Sequence, residues 1–322
     1  MSTEHIIVPF NLIAQRHGRK TMDEASNSKP ETNTTTDNSH TTRIFLAIPA
    51  RLCSTRLPEK PLQDLCGKPM ISRVAERALK FAEDLQRAPQ IGNVSVLVAT
   101  DDTRIANAVK RLGAQAAITS PELRSGTDRI FAALEPLHLN EDDLVINIQG
   151  DEPFFSYEDV FALIQKMLES PTIPMGTLAF SRTSAAHFFR SSVVKVIADA
   201  NMRAIYFTRA PAPWPRSLLG ASGNEWMKSD LTNTTIQPFL HHLGVYAYRW
   251  KALREFSRNL PQSHLENLEG LEQLRAVEAG WHIILALAKE EPFGIDTPED
   301  LAQANQIMLQ KQNILHEKEK NS

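Results

Sequence analysis

Residues 44–62 read IFLAIPARLCSTRLPEKPL, and this stretch decides the fold. Its first part, Ile44 to Pro49, is a continuous apolar run, which predicts a strand that is buried on both faces. The basic loop that follows, residues 49–62, carries Arg51, Arg56 and Lys60 together with two hydroxyl side chains. Ligands of open α/β sheets bind beyond the carboxyl ends of the strands, where Arg and Lys can donate to phosphoryl oxygens. The basic loop is therefore predicted to bind a triphosphate.

The basic loop differs from the two best-known phosphate-binding motifs. It lacks the Gly-x-x-x-x-Gly-Lys-Ser/Thr spacing of a Walker A motif, and no Gly-x-Gly-x-x-Gly fingerprint follows the strand. P-loop kinases and Rossmann dehydrogenases are therefore poor candidates. From the residues alone one alternative stays open, a solvated basic loop that binds nothing.

Strand-length apolar runs alternate with helical periods through the first half of the chain. Further buried strands are predicted at Val94–Ala99 and Leu144–Ile148. Pro69 is expected at the first position of a helix. Its apolar stripe comprises Met70, Val74, Ala78, Phe81 and Leu85, and later stripes comprise Ile105, Ala108 and Leu112, then Val160, Ile164 and Met167. The alternation predicts an α/β fold with a mostly parallel, Rossmann-like sheet and helices on both faces.

The second half is predicted to contain a β-rich insertion over residues 175–250. Its expected strands are Met175–Ser181, Val193–Ala198, Ala204–Thr208 and Gly244–Tyr248, with a polar flexible loop from Leu218 to Gln237. A helix is expected around Leu268, Leu271, Leu274 and Val277, then a buried strand at Ile283–Ala288 and a helix at Thr297–Leu309.

Composition limits the functional classes. The 322 residues carry a net charge of -3 with both signs interspersed, so no broad basic face for nucleic acid or anionic lipid is expected. No apolar run approaches the length of a membrane span. The two cysteines, Cys53 and Cys66, lie in no zinc-ligand pattern, and a reducing compartment is the simpler interpretation.

The two ends of the chain differ in composition from its body. Residues 1–42 are polar and rich in Thr, so a disordered extension is predicted. The body is assigned to residues 43–310, and the charged residues 311–322 are expected to fray.

Two aspartates are predicted to meet at one edge of the sheet. Asp151 ends a buried strand, and Asp296 follows Gly294 at the end of another. Paired carboxylates together with substrate phosphates are typical ligands of Mg²⁺. The alternative is that Asp296 or Thr297 only caps the helix that begins at Pro298.

A set of motifs extends from about Arg43 to Ala304 and identifies a family. Beside PARLCSTRLPEKPL these are GKPMI at 67–71, VATDD at 98–102, SGTDR at 125–129, NIQGDEP at 147–153, HLGVYAYR at 242–249, LEQLR at 271–275 and GIDTPEDL at 294–301. Together they resemble the CMP-Kdo synthetases, the 3-deoxy-manno-octulosonate cytidylyltransferases. Departures from the family pattern are Cys53, Ser191 with Ser192, and His241.

The resemblance implies a nucleotidyltransferase that joins CMP from CTP to the sugar acid Kdo, releases pyrophosphate and supplies lipopolysaccharide synthesis. It implies Mg²⁺ on Asp151 and Asp296, a cytoplasmic homodimer, and a sugar-binding role for the β-rich insertion. The implied nucleotide contacts are Pro49, Ala50, Arg51, Ser54, Arg56, Lys60, Thr100, Asp101, Ser125, Gly126 and Gln149. The implied sugar contacts are Arg209, His242, Tyr246, Glu272 and Gln273.

The chemistry expected is an in-line attack of the sugar hydroxyl on the α-phosphate of CTP. Arg51, Arg56, Lys60, Asp151 and Asp296 are the expected catalytic residues, because catalysis would come from positioning and charge. The residues leave alternatives open. The sugar could be a sialic acid or an amino-substituted octulosonate, the chain could bind nucleotide without turnover, and His242, Glu272 and Gln273 could be ordinary structural residues.

Overall fold

The computed structural model describes residues 41–216, 234–291 and 293–320. The predicted extension, apart from its last two residues, and most of the predicted polar loop lie outside the described residues. The strands are β1 Thr42–Ala50, β2 Ile91–Thr100, β3 Gln115–Ile118, β4 Leu144–Asn147, β5 Met175–Ser184, β6 Lys195–Ala198, β7 Ala204–Thr208, β8 Thr235–Arg249 and β9 Ile283–Ala288. The helices are α1 Met70–Leu85, α2 Thr103–Lys110, α3 Gly126–Leu134, α4 Tyr157–Glu169, α5 Ala185–Phe189, α6 Trp250–Arg258, α7 His264–Glu269, α8 Leu274–Glu278 and α9 Pro298–Lys320.

One sheet organises these elements, in the strand order β3-β2-β1-β4-β8-β5-β9. Strand β1 is parallel to β2 on one side and to β4 on the other. Ile44, Leu46 and Ile48 are fully buried against α1, α2 and α4, whereas Phe45 and Ala47 pack on the opposite side with α3 and α6. The predicted α/β class, with a buried first strand and helices on both faces of the sheet, is confirmed.

The β-rich residues 175–250 are joined to this sheet rather than set apart from it. Strand β5 is parallel to β9, and β8 is antiparallel to both β4 and β5. Only the β6–β7 pair leaves the main path, with β6 attached to β8. Strand β8 begins at Thr235, whereas a strand was expected only from Gly244. The first half of β8 mixes exposed residues, among them Thr235, Gln237 and Pro238, with buried ones, so it lacks the continuous apolar run that predicts a buried strand.

The helix expected around Leu268–Val277 is two helices. Helix α7 ends at Glu269 and is capped by Gly270, whose φ of 62° is a left-handed conformation that glycine adopts readily, and α8 begins at Leu274. Pro69 precedes the first residue of α1 as its N-cap instead of occupying the first helical position. Helix α9 extends to Lys320, beyond the expected end at Leu309 and through residues expected to fray.

Four further elements were not predicted, β3, α3, α5 and α6. Helix α3 begins after Ser125, whose hydroxyl accepts a hydrogen bond from the backbone of Asp128. The amino end of α3 therefore faces the carboxyl ends of β1, β2 and β4, where the basic loop also lies. Within the described residues no helix is long and apolar enough to cross a membrane.

Gly150 permits the close approach of the turn after β4 to the basic loop, so Gly150→Ala is expected to destabilise the fold. A β-carbon there would lie 2.8 Å from the Pro49 carbonyl oxygen. Overpacking of this kind costs about 1–3 kcal/mol, which urea unfolding measures. Gly294→Ala is the matched control, because the nearest atom to its β-carbon, Glu152 Cγ, is 4.0 Å away. Equal losses of stability in both variants would contradict the close contact.

Candidate nucleotide and metal site

A cavity of about 520 Å³ lies at the carboxyl ends of β1 and β4. Its lining combines the basic loop with the amino end of α3 and the turn after β4. Of the residues expected to contact nucleotide or metal, it is lined by Pro49, Ala50, Arg51, Ser54, Arg56, Lys60, Ser125, Gly126, Gln149, Asp151 and Asp296. Residues from four separate segments of the sequence thus meet in one cavity.

Lys60 lies between the two aspartates. Its Nζ donates to Asp296 Oδ1 at 2.8 Å and also contacts Asp151 Oδ2 closely. The Arg56 guanidinium reaches the same Asp296 oxygen at 3.0 Å. Burial acts to raise the pKa of Asp296, but the hydrogen bonds and charges of Lys60 and Arg56 outweigh burial, so the net direction is downward. Asp296 is therefore held as a carboxylate.

The carboxylate of Asp296 does not cap the helix that follows it. Thr297 Oγ1 accepts a hydrogen bond from the backbone of Asp300 at 3.2 Å, which makes Thr297 the capping residue. The Asp300 carboxylate in turn accepts from the backbone N–H groups of Asp296 and Thr297. The capping alternative for Asp296 is therefore excluded, and its side chain is directed to the cations of the cavity.

The donor set suits a divalent cation. Asp151 and Asp296 come from two segments that a backbone hydrogen bond joins, from Ile295 N–H to the Asp151 carbonyl at 3.0 Å. Their carboxylates converge on a single positive centre, the Lys60 ammonium. Hard carboxylate oxygens that converge in this way match the ligand preference of Mg²⁺.

Glu152 adds a third carboxyl group beside this pair, one that the sequence analysis did not single out. Burial raises its pKa to about 8, and the charge of Asp151 adds to the effect. Burial and the neighbouring carboxylates thus favour the protonated form of Glu152. The GDEP motif was the available signal, because a second carboxylate directly follows Asp151 there.

Arg129 supports the basic loop through Asp101. The sequence analysis did not single it out. Its guanidinium is 2% exposed and donates to Thr119 Oγ1 at 2.6 Å and to Asp101 Oδ2 at 3.2 Å. The other Asp101 oxygen accepts the backbone N–H of Leu52 at 2.9 Å. Asp101 thus acts as an anchor for the basic loop, while Thr100 beside it is fully buried. An arginine on the apolar face of α3 was the signal in the sequence.

A second cavity, of about 820 Å³, shares Leu123 and Ser125 with the first. Glu272 lines it and accepts a hydrogen bond from Ser125 Oγ at 3.1 Å. Burial is the main cause that raises the pKa of Glu272 to about 7. Glu272 therefore marks the junction between the nucleotide cavity and the side where the sugar is expected.

Three of the expected sugar contacts form one buried polar group. Tyr246 Oη donates to Gln273 Oε1 at 3.1 Å, and the His242 ring packs against Tyr246. His242 Nε2 lies 3.1 Å from Thr177 Oγ1, and burial lowers the pKa of His242 to about 3, so its ring is neutral. Gln273 is 3% exposed, and its Nε2 has no partner among the described residues. A buried donor without a partner is costly.

Arg209 lies apart from this polar group. Its guanidinium donates to the carbonyl oxygens of Glu269, Ser191 and Gly270 at 2.7, 3.1 and 3.3 Å. Gly270 lines the second cavity, so Arg209 supports the wall of that cavity. Of its five N–H donors, two remain for a carboxylate.

Comparison with known proteins decides the family. A family model described as Cytidylyltransferase matches residues 45–291. The chain belongs to the cytidylyltransferase family. It is 43% identical over 268 residues to a 3-deoxy-manno-octulosonate cytidylyltransferase of Syntrophobacter fumaroxidans, which covers 83% of this chain and 98% of that protein. It is 41% identical over 262 residues to a protein of the same name from Aliivibrio fischeri, which covers 81% and 97%.

A solved structure supports both the fold and the family. The structure of CMP:2-keto-3-deoxy-manno-octonic acid synthetase complexed with CTP matches with a TM-score of 0.69 and 37% identity. The match covers 84% of this chain and 99% of that one. The resemblance to the CMP-Kdo synthetases that the motifs indicated is confirmed.

Arg129→Met is expected to lower stability and to raise the KM for CTP more than it changes kcat. It leaves the Asp101 carboxylate unpaired, and removal of one partner of a buried ion pair costs about 3–5 kcal/mol. Urea unfolding and CTP kinetics measure the two effects. Asp101→Asn removes the negative charge that pairs with Arg129, so the double variant should lose less than the sum of the single losses. Additive losses would contradict the proposed connection.

Glu272→Gln is expected to reduce the pH dependence of stability. The folded state holds the Glu272 proton up to about pH 7, whereas the unfolded chain releases it near pH 4.5. Stability is therefore fully present below pH 4.5 and is lost as the pH rises through 7. Relative to the native chain, the variant should gain on the order of 1–3 kcal/mol between pH 5 and pH 8. Unfolding curves with identical pH dependence would show that Glu272 is an ordinary surface carboxylate.

Proposed function

We propose that this chain transfers CMP from CTP to Kdo and releases pyrophosphate. The observation that carries the proposal is the convergence of Arg51, Arg56 and Lys60 with Asp151 and Asp296 in one cavity, next to a second cavity with buried polar groups. Membership of the cytidylyltransferase family agrees with a nucleotide substrate of this kind. The relatives named above carry Kdo cytidylyltransferase names over nearly their whole length.

CTP enters the first cavity with its phosphates on the basic loop. Arg51 and Arg56 are exposed there, so their guanidinium groups can donate to the β- and γ-phosphates without loss of buried contacts. Ser125, Gly126 and Gln149 lie on the opposite wall and suit the ribose and the base. Gln149 Nε2 donates to the Gly244 carbonyl at 2.8 Å, which fixes the orientation of its amide.

Mg²⁺ is the proposed cofactor, held by Asp151 and Asp296. When bound, it would neutralise charge on the α-phosphate and the leaving pyrophosphate. Arg51, Arg56 and Lys60 line the same cavity and stabilise the same leaving group. The convergence of both carboxylates on one cation in the structure supports this assignment.

The reaction is a displacement at phosphorus. The anomeric hydroxyl oxygen of the sugar forms a bond to the α-phosphorus as the bond from that phosphorus to the bridging oxygen breaks. The hydroxyl proton is lost, and pyrophosphate leaves with the electron pair of the broken bond. No covalent intermediate with the protein is required, so the catalytic power comes from positioning and charge.

The sugar is assigned to the side of Glu272, Gln273, Tyr246 and His242. Their acceptors and donors suit a polyhydroxylated ring. The remaining donors of Arg209 suit the sugar carboxylate. The choice between Kdo and a related acidic sugar depends on these few contacts.

A cytoplasmic homodimer that supplies lipopolysaccharide synthesis is part of the proposal. Within the described residues β7 pairs with β6 alone, and Ile205 on β7 is 56% exposed. An apolar side chain on a strand that pairs along only one of its edges suits contact with a second copy. Sedimentation of the purified protein as a dimer would support the proposed homodimer. A monomer at micromolar concentration would contradict it.

Pyrophosphate release tests the activity. The purified protein is supplied with Mg²⁺ and CTP and with Kdo, 8-amino-Kdo or N-acetylneuraminate, and UTP and ATP serve as nucleotide controls. Release with CTP and Kdo alone is expected. Preference for another sugar would overturn the sugar assignment alone, whereas CTP binding without release from any sugar would favour a nucleotide-binding module without activity.

Asp151→Asn is expected to abolish turnover while the fold survives. The change removes one negative charge from the proposed metal site, and loss of a metal ligand affects the transition state directly. A decrease in kcat of about 1,000-fold or more is expected. Asp142→Asn is the control, because Asp142 is 83% exposed and lies at the opposite edge of the sheet, beside the first residue of β4. Near-normal turnover of Asp151→Asn would refute the assignment.

A further inference from the structure

The aspartate pair already contains a cation that belongs to the protein. The Lys60 side chain is 13% exposed, and its ammonium contacts Asp151 and Asp296 together. A solvated surface lysine would be far more exposed, and exposed ion pairs hold their partners only weakly. Lys60 is thus a built part of the carboxylate pair in the nucleotide-free protein.

The backbone holds Lys60 in this position. A short 3₁₀ turn begins at Lys60 and ends at Leu62, with Pro61 buried beneath it. Glu59 before it has a φ of 48°, a left-handed conformation that side chains other than glycine seldom adopt. The turn directs Lys60 into the cavity, whereas Arg56 remains 65% exposed at its rim.

One position cannot hold both cations. Mg²⁺ requires oxygen ligands at roughly 2.0–2.1 Å, so a metal bound by both carboxylates would displace the ammonium that now lies between them. Lys60 also has an alternative partner, since the basic loop would place the phosphates of CTP next to its ammonium. Triphosphate oxygens are strong acceptors for lysine and carry more charge than the aspartates do.

We propose that Lys60 is an internal counter-cation that occupies the aspartate pair until CTP draws its ammonium to the phosphates, so that the metal loads with the nucleotide and not before it. The inference rests on the proposed function, because it takes Asp151 and Asp296 as the metal ligands. Lys60 thereby has two successive partners. It suppresses metal binding in the empty site and neutralises phosphate charge in the loaded site.

The arrangement couples the two ligands thermodynamically. A nucleotide that removes Lys60 from the carboxylates raises their affinity for the metal, and by linkage the metal raises the affinity for the nucleotide by the same factor. Replacement of Lys60 by an uncharged residue should remove this coupling. Metal affinity in the absence of nucleotide is therefore the quantity that distinguishes the proposal from a purely phosphate-binding role of Lys60.

The test is Mn²⁺ binding without nucleotide, followed by electron paramagnetic resonance of the free ion in solutions of the full-length protein. Lys60→Met should bind Mn²⁺ on the order of tenfold more tightly than the native chain, because two carboxylates lose their competing charge. Lys60→Arg keeps a cation and should bind as weakly as the native chain. Lys251→Met is the matched control, since Lys251 pairs with Glu141 at 3.8 Å on the opposite edge of the sheet.

Two further variants distinguish a failure of the inference about Lys60 from a failure of the proposed metal site. Asp151→Asn in the Lys60→Met background should abolish the gained binding, and Lys60→Gln replaces Lys60→Met if that variant does not fold. Equal Mn²⁺ affinity of Lys60→Met and the native chain would overturn the inference, provided the native chain with CTP binds Mn²⁺ through Asp151. If no variant binds Mn²⁺ through Asp151 even with CTP, the proposed metal site itself falls.

Discussion

The parallel pairing of β1 with β2 and β4 is the constraint on which the remaining structure depends. Strands β1 and β2 end together, with Ala50 opposite Thr100, and β4 ends opposite Ala47, whose carbonyl accepts the Ile148 N–H. The loops that leave them must therefore share one edge. Buried apolar side chains such as Ile48 fix this register, because a slip of one residue would reverse the faces of every side chain in the strand.

The strand register brings the charged residues of the cavity together. Their ion pairs are a consequence of this register and not its cause. Lys60 lies 91 residues from Asp151 and 236 from Asp296, and all three side chains are partly exposed. Pairs of this kind add little to stability. Their value lies in charge placement: two carboxylates and the cations of the basic loop face one cavity, where a metal and a triphosphate can exchange partners with them.

The sequence predicts those parts whose patterns are strong and local. Continuous apolar runs mark β1, β2 and β4, and the stripe from Met70 to Leu85 marks α1 within a residue of its bounds. The break at Gly270 escapes the leucine periodicity, because a single left-handed residue leaves the spacing of the leucines intact. The first half of β8 escapes as well, because exposed polar residues and Pro238 interrupt its apolar residues.

In the site, too, some features can be predicted from the sequence and others depend on the fold. Motifs place Lys60, Asp151 and Asp296 correctly at one edge, but their mutual contacts and the support of Asp101 by Arg129 depend on side chains brought together only by the fold. The burial that shifts the pKa of Glu152 and Glu272 is likewise a property of packing, to which the sequence gives no direct access.

The fate of each phosphorus atom of CTP tests the central claim most directly. The protein is supplied with Kdo and CTP labelled at the α-phosphate or, separately, at the γ-phosphate, and the products are separated by chromatography. The account predicts that the α-label enters the sugar product in full and the γ-label leaves as pyrophosphate. A γ-label in the sugar product, or an α-label released as free CMP with no labelled sugar, would contradict transfer at the α-phosphorus.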